Sequence, residues 1–346
     1  MPVAASNFAA TKFRLLTGLL LAGATLLLQG CGCGFDCNNG NNPGSGPAFL
    51  SLGFSDEALE ELKQVVIEVD TITLTRSGAE DVVVETFTIE DLDLTNAESF
   101  QVDLLQYRGL NQLLVIDSLE LDPTTYGAIK LTLLDGDVNL SYVQESDDSL
   151  KQLDISGTTL DLPGMRLSSG DEAYTVVFSL AQALQYQQSS DNYLLANDGI
   201  RVQDNATAAS LSGRVDSDLF DTQSPCDAKE DPELGNRIYL YEGSGLSTDR
   251  SSDVFTTAST TEIPDDAVMP FSVATLLEDA LTGNWQYVFG FLPAGDYTLA
   301  FSCDTADDDP VNYDGYVIPL PTDQSYDISL DEGEKGTCDL DTGAAC

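Results

Sequence analysis

Hydrophobic and polar positions alternate in short runs along most of this chain, the spacing of strands with one face buried. Phe49-Leu50-Ser51-Leu52-Gly53-Phe54 sets the pattern. Val-Val-Ile-Glu-Val-Asp-Thr-Ile-Thr-Leu-Thr over 65–75 repeats it, with apolar residues on alternate positions from Ile67 and β-branched residues throughout. Further strands are predicted over 82–89, 99–105, 129–134, 138–143, 174–180, 209–215 and 236–242. Turn signals at Ser77-Gly78, Asp122-Pro123, Asp135-Gly136 and Ser169-Gly170 separate several of them. Helix is expected in two short places. Ser55-Asp56-Glu57 opens an acidic-first turn running to about Lys63, and 180–188 holds the other. Such a series predicts an all-β fold of two antiparallel β-sandwich domains with one or two short helices.

The aromatic pattern is densest over 283–301. Trp285, Tyr287, Phe289 and Phe291 fall on one face at period two. Pro293-Ala294-Gly295-Asp296 then turns the chain, and Tyr297, Leu299 and Phe301 alternate back. A stripe of this kind reads as sandwich core, with a sugar-stacking platform as the minority reading.

The N-terminus departs from this pattern. Lys12 and Arg14 precede an uncharged apolar run from Leu15 to Leu28. As a helix this run covers roughly 21 Å, short of the ~30 Å hydrocarbon core, so it reads as a signal-peptide core and not a membrane span. It ends in Leu28-Gln29-Gly30-Cys31, which resembles the bacterial lipobox. The resemblance implies cleavage before Cys31, a diacylglyceryl thioether on that cysteine and an acylated amine. Two or three chains anchor firmly where one is marginal. Gly32 is not the aspartate that the same resemblance associates with inner-membrane retention, so the outer membrane is expected. Residues 32–47, rich in Gly, Asn and Pro, read as a flexible tether.

Charge excludes one class of partner. With 14 Lys and Arg against 58 Asp and Glu, the net charge of −44 repels nucleic acid, whose phosphates need basic contacts. An apolar content of 42% argues against disorder. Excess acid also suits a chain working in salt, where self-repulsion is screened. Seven cysteines are present. With Cys31 spent on lipid, the other six are expected as disulfides in an exported chain: Cys33 with Cys37, Cys226 with Cys303, and Cys338 with Cys346.

Chemistry is thin. There is no histidine, which removes Ser-His-Asp and Cys-His catalysis, His-containing zinc sites and the usual base near neutral pH. Paired carboxylates run glycosidases, but only where a cleft raises one pKa. Asp341-Thr342-Gly343 matches an aspartic-protease triplet, without a second copy. No phosphate-binding glycine loop occurs, and no cofactor is expected beyond a weak Ca²⁺ site. Asp304, Asp307 and Asp309, with Asn312 and Asp314, form an oxygen-rich loop of the type Ca²⁺ takes. The favoured reading of that loop is a solvated acidic turn.

Two resemblances place domain limits. The leading Leu-Ser-Leu strand, the Ile-Glu-Val-Asp-Thr-Ile-Thr-Leu strand and Phe100-Gln101-Val102-Asp103-Leu104-Leu105 come in that order. Leu119-Glu120-Leu121-Asp122-Pro123-Thr124-Thr125-Tyr126-Gly127-Ala128-Ile129-Lys130-Leu131 follows. Together they resemble the DUF4382 family of exported bacterial domains over about 48–213. The match departs at Pro123-Thr124-Thr125, where the family carries Pro-x-Gly. From Leu211-Ser212-Gly213-Arg214-Val215 onward, the 283–301 pattern resembles the carboxypeptidase-regulatory-like (transthyretin-like) β-sandwich over about 209–330. That resemblance implies a spacer or binding module without catalytic residues.

The expected organisation is a leader over 1–30, a lipidated tether over 31–47, sandwiches over 48–208 and 209–333, and a tail over 334–346. The expected function is a membrane-anchored, non-catalytic binding or adhesion module for an unknown protein or glycan. The first alternative is an accessory structural subunit of an envelope assembly. The second is a carboxylate-dependent glycoside hydrolase.

Overall fold

A computed structural model describes residues 46–57, 62–223, 226–254, 262–306, 313, 315–343 and 346. Cys31, Cys33, Cys37, Asp307, Asp309, Asn312 and Asp314 lie outside the described residues. Among the described residues no helix is long and apolar enough to cross a membrane. The fold is all-β, and Pro43–Cys346 form one compact unit built around two main cores.

In the first lobe the central strand is Ala48–Asp56, with Leu50, Leu52 and Phe54 fully buried. Its sheet runs Ile200–Asp204, Gly170–Phe178, Ala48–Asp56, Leu113–Leu121. The larger sheet is centred on Leu62–Leu74, flanked by Thr125–Leu134 and Tyr142–Glu145. Residues of both sheets share one core, where Phe54 meets Phe178 edge-on at 5.5 Å and Phe87 meets Phe100 at 4.8 Å. Alternation in Leu62–Leu74 changes phase midway. Ile67 and Val69 are buried at odd positions, Ile72 and Leu74 at even ones. The register against Thr125–Leu134 slips between Val69 and Thr71, a bulge at Asp70 that absorbs one residue and keeps both halves facing inward.

Several sequence expectations are corrected. Ser55 and Asp56 end the first strand and Lys63 lies in the next, so the described parts of the expected 55–63 helix are extended. The 180–188 helix is a single turn, Leu180–Ala183, followed by the strand Leu184–Gln187. Val138 lies in a turn before Tyr142–Glu145 and is exposed. The strands Leu113–Leu121, Leu150–Ile155 and Leu160–Arg166 were not foreseen. Three parallel pairs also enter the otherwise antiparallel sheets: Ala48–Asp56 with Gly170–Phe178, Leu150–Ile155 with Asn192–Leu195, and Ala209–Val215 with Lys335–Thr337. Parallel neighbours need long crossovers, which local turn spacing does not reveal.

The second lobe stacks two four-stranded sheets. One runs Leu277–Glu278, Trp285–Leu292, Ala209–Val215, Lys335–Thr337; the other runs Ser272–Thr275, Arg237–Glu242, Gly295–Ser302, Ser325–Leu330. The expected hairpin at Pro293-Ala294 is therefore absent. Trp285–Leu292 and Gly295–Ser302 belong to different sheets, and the chain crosses between them, so that Tyr287 and Phe289 meet Tyr297, Leu299 and Phe301 in one core. Phe291 sits at a positive φ of 51°, beside a register shift opposite Ala209 and Leu211. The irregularity takes Phe291 off the stripe, and Leu292 fills the core in its place.

Residues 334–343, within the expected 334–346 tail, close this lobe. Lys335–Thr337 pairs with Ala209–Val215, Cys338 and Leu340 are buried, and the Leu340 N–H donates to the Arg214 carbonyl at 2.8 Å. Cys338 is bonded to Cys346, and Cys226 to Cys303 with a Cα–Cα distance of 5.3 Å.

Candidate functional site

Where Ala209–Val215, Trp285–Leu292 and the C-terminal segment run side by side, their ends frame a groove of about 330 Å³. Arg214 and Asp216 come from the first segment, Asn284 and Trp285 from the second, Asp339 and Asp341 from the third. Their backbones are registered by sheet pairing: Val215 lies opposite Trp285, and Asp216 N–H donates to the Leu340 carbonyl at 2.9 Å. Behind them, the buried Tyr287 hydroxyl donates to the Cys338 carbonyl at 2.8 Å, and burial pushes its pKa far up, so it stays a donor. The disulfide Cys338–Cys346 closes a short loop within the third segment, which is held to the first by pairing of Lys335–Thr337 with Ala209–Val215.

Trp285 is half-buried, unlike Tyr287 and Phe289 on the same strand. Phe220 meets its ring edge-on at 6.1 Å and 86°, fixing the indole from one side. Arg214 and Asp339 form a two-point contact: the Arg214 backbone N–H donates to Oδ1 at 2.8 Å and Nη2 to Oδ2 at 3.0 Å. These bonds hold the Asp339 carboxyl below the usual carboxylate range, so it is an anion and not an acid at neutral pH. Asp216 Oδ1 accepts from Asp218 N–H at 3.0 Å, and Asp341 Oδ1 from Gly343 N–H at 2.7 Å. The Asp341-Thr342-Gly343 triplet is thus a turn in the groove wall.

A second polar cluster sits where the lobes meet. Asp56 and Glu57, at the end of the first strand, line a small cavity with Arg108, Gly109, Ser272 and Gly290. The backbones approach closely here, since a Cβ on Gly290 would stand 2.0 Å from the Gly109 carbonyl oxygen. Arg201 donates through Nη1 to Glu57 Oε1, and its guanidinium carbon lies 5.1 Å from the centre of the Phe271 ring. Gln182 Nε2 adds a bond to the Pro270 carbonyl at 2.9 Å.

Asp56 is fully buried, and neither carboxylate oxygen has a hydrogen-bond partner of good geometry. Burial holds its carboxyl well above the ordinary range and Glu57 adds to this. Arg108 and the nearby backbone N–H groups of Glu57 and Leu180 pull it partly back. A carboxyl that binds its proton more tightly when folded stabilises fully below the unfolded value near 3.8, and that contribution is lost as pH rises through the folded value. Asp56→Asn is therefore expected to flatten the fall in stability above about pH 4. At pH 8 it should be more stable than the parent, since the neutral amide has no charge to bury. Urea denaturation of parent and variant from pH 4 to 8 measures this, and identical slopes would refute it.

The remaining expected residues are not brought together. Asp304 is exposed, and among the described residues no group of three His, Cys, Asp or Glu is placed to hold a metal ion. The groove itself was missed in the sequence, because its walls come from three separate segments, the outer two 125 residues apart at Arg214 and Asp339. The signal that existed was Trp285 at the outer end of an aromatic stripe.

The chain was compared with known proteins. Among solved structures it is similar to a leucine-rich repeat protein of Bacteroides thetaiotaomicron, at 10% identity and TM-score 0.22 over 87% of this chain and 26% of that one. It is also similar to the Bacillus anthracis TIE protein, at 14% identity and TM-score 0.18 over 85% and 33%. A fimbrial protein of Bacteroides ovatus gives 9% identity and TM-score 0.18 over 87% and 50%. The chain thus spans about a quarter and a third of the first two. No curated protein matches it. Residues 48–196, which hold both sheets of the first lobe except the edge strand Ile200–Asp204, match the family described as Domain of unknown function (DUF4382).

Proposed function

We propose that this chain is a lipid-anchored protein of the bacterial envelope whose fused β lobes act as a non-catalytic binding or adhesion module. The observation that carries the binding reading is the groove, which combines a half-buried tryptophan with polar side chains on walls registered by strand pairing. A non-catalytic role is supported by the lack of histidine and by Asp339 being held as an anion, since a glycosidase needs one carboxyl kept protonated. The likeness of the second lobe's sequence to regulatory-like sandwiches points the same way. Anchoring at the outer membrane is supported by Leu28-Gln29-Gly30-Cys31 and by Gly32 after it.

Anchoring is tested by expressing the parent and Cys31→Ser in a lipoprotein-processing bacterium supplied with labelled palmitate. The parent is expected to take up label and sediment with outer membrane. The serine variant should lose essentially all label and leave the membrane fraction. A labelled, sedimenting serine variant rejects the anchor.

A further inference from the structure

We propose that the Trp285 groove is a saccharide site, holding a short neutral oligosaccharide with a sugar ring against the indole. The inference rests on the binding reading above and adds the ligand class.

Neutral polyols present an apolar C–H face and a rim of hydroxyls that each donate and accept. The groove offers the complement. Trp285 supplies an aromatic plate braced by Phe220, and its indole N–H meets no acceptor among the described residues. The side-chain amide of Asn284 likewise has no partner among the described residues, so it can both donate and accept. Asp216 and Asp341 each commit Oδ1 to a turn N–H, which orients the carboxylate and leaves Oδ2 as an acceptor for a hydroxyl. Arg214, with its side chain 69% exposed, adds donors beside Asp339.

Other ligand classes fit less well. Anions are repelled by Asp216, Asp339 and Asp341 and by the net charge of the chain. A quaternary ammonium would meet tryptophan and carboxylates, but also the Arg214 guanidinium on the same wall. An apolar molecule would face a mostly polar lining, and no three acidic groups are placed for a metal ion among the described residues. The volume lies at the low end of the ~300–1,000 Å³ range of ligand pockets, which suits a short saccharide.

Trp285 is the only tryptophan, so indole fluorescence reports on this groove alone. Full-length protein in detergent is titrated with cellohexaose, maltohexaose, xylohexaose and chitohexaose, and separately with tetramethylammonium. At least one sugar is expected to give a saturable blue shift. Asn284→Ala and Asp341→Asn, both on the wall and outside the core, should each weaken it about tenfold with the urea midpoint unchanged. Trp285→Phe, followed by calorimetry, should weaken binding while keeping the fold. Absence of a shift with every sugar, or affinities unchanged in both wall variants, overturns the saccharide site. A response to tetramethylammonium alone also overturns it but leaves a binding groove in place. Release of reducing ends from a bound sugar supports the site and overturns the non-catalytic reading instead.

Discussion

Replacing Arg201 with methionine is expected to lower the unfolding free energy by about 3 kcal/mol. The mechanism is the stranding of a charge. Glu57 is 7% exposed and Arg201 18%, and the guanidinium is the one cation bonded to that carboxylate among the described residues. Breaking a buried pair from one side costs ~3–5 kcal/mol because the remaining charge stays desolvated. The partial exposure of Arg201 places the effect at the low end. The pair also joins two strands: Glu57 N–H donates to the Phe178 carbonyl, and Arg201 lies opposite Val177 on the next strand over. Methionine keeps the length and apolar contact of the arginine stem, so packing loss is small. The double variant Glu57→Leu with Arg201→Met should recover most of the stability, since an apolar replacement of a buried pair is often neutral. Urea denaturation of the four proteins of this cycle gives the coupling. A single variant within 1 kcal/mol of the parent, by the ~1 kcal/mol scale of ordinary substitutions, would show that the pair contributes little.

Removal of the Cys226–Cys303 disulfide is expected to cost about 4 kcal/mol. The cysteines are 77 positions apart, and a loop of that size held closed in the unfolded chain stabilises by ~4–5 kcal/mol on the entropic account. Both are buried in the second core, so Cys226→Ala with Cys303→Ala also opens small voids there. The short Cys338–Cys346 loop should matter much less to stability, whatever it does for the groove wall. Denaturation of the parent and of the double variant, each with and without reductant, separates this bond from packing and from the Cys338–Cys346 bond. A loss under about 1 kcal/mol would contradict the expectation.

Where a strand is regular and its neighbours are close in sequence, alternation was enough to find it; Ala209–Val215 is read to the residue. Failures came where distant parts decide. Asp56 and Glu57 look like the acidic first turn of a helix, and only pairing with Phe178, more than a hundred residues on, makes Asp56 the end of a buried strand. The bulge at Asp70 shifts the phase of alternation without a glycine or proline to mark it. Pro293-Ala294 signals a turn, but not whether the next strand pairs back or crosses to the facing sheet. The groove shows the same limit. Trp285 was visible as part of a stripe, whereas Arg214 and Asp339 meet only because the final strand docks beside Ala209–Val215.

That docking sets the order in which the molecule can be finished. Ala209–Val215 leaves the ribosome well before its neighbour Lys335–Thr337, and Ala48–Asp56 before its neighbour Gly170–Phe178. Neither lobe can be completed as its first strand emerges, and each must wait with an open edge, a template for pairing with the wrong chain. A polypeptide stalled before Lys335–Thr337 would therefore carry a second lobe still open on one side.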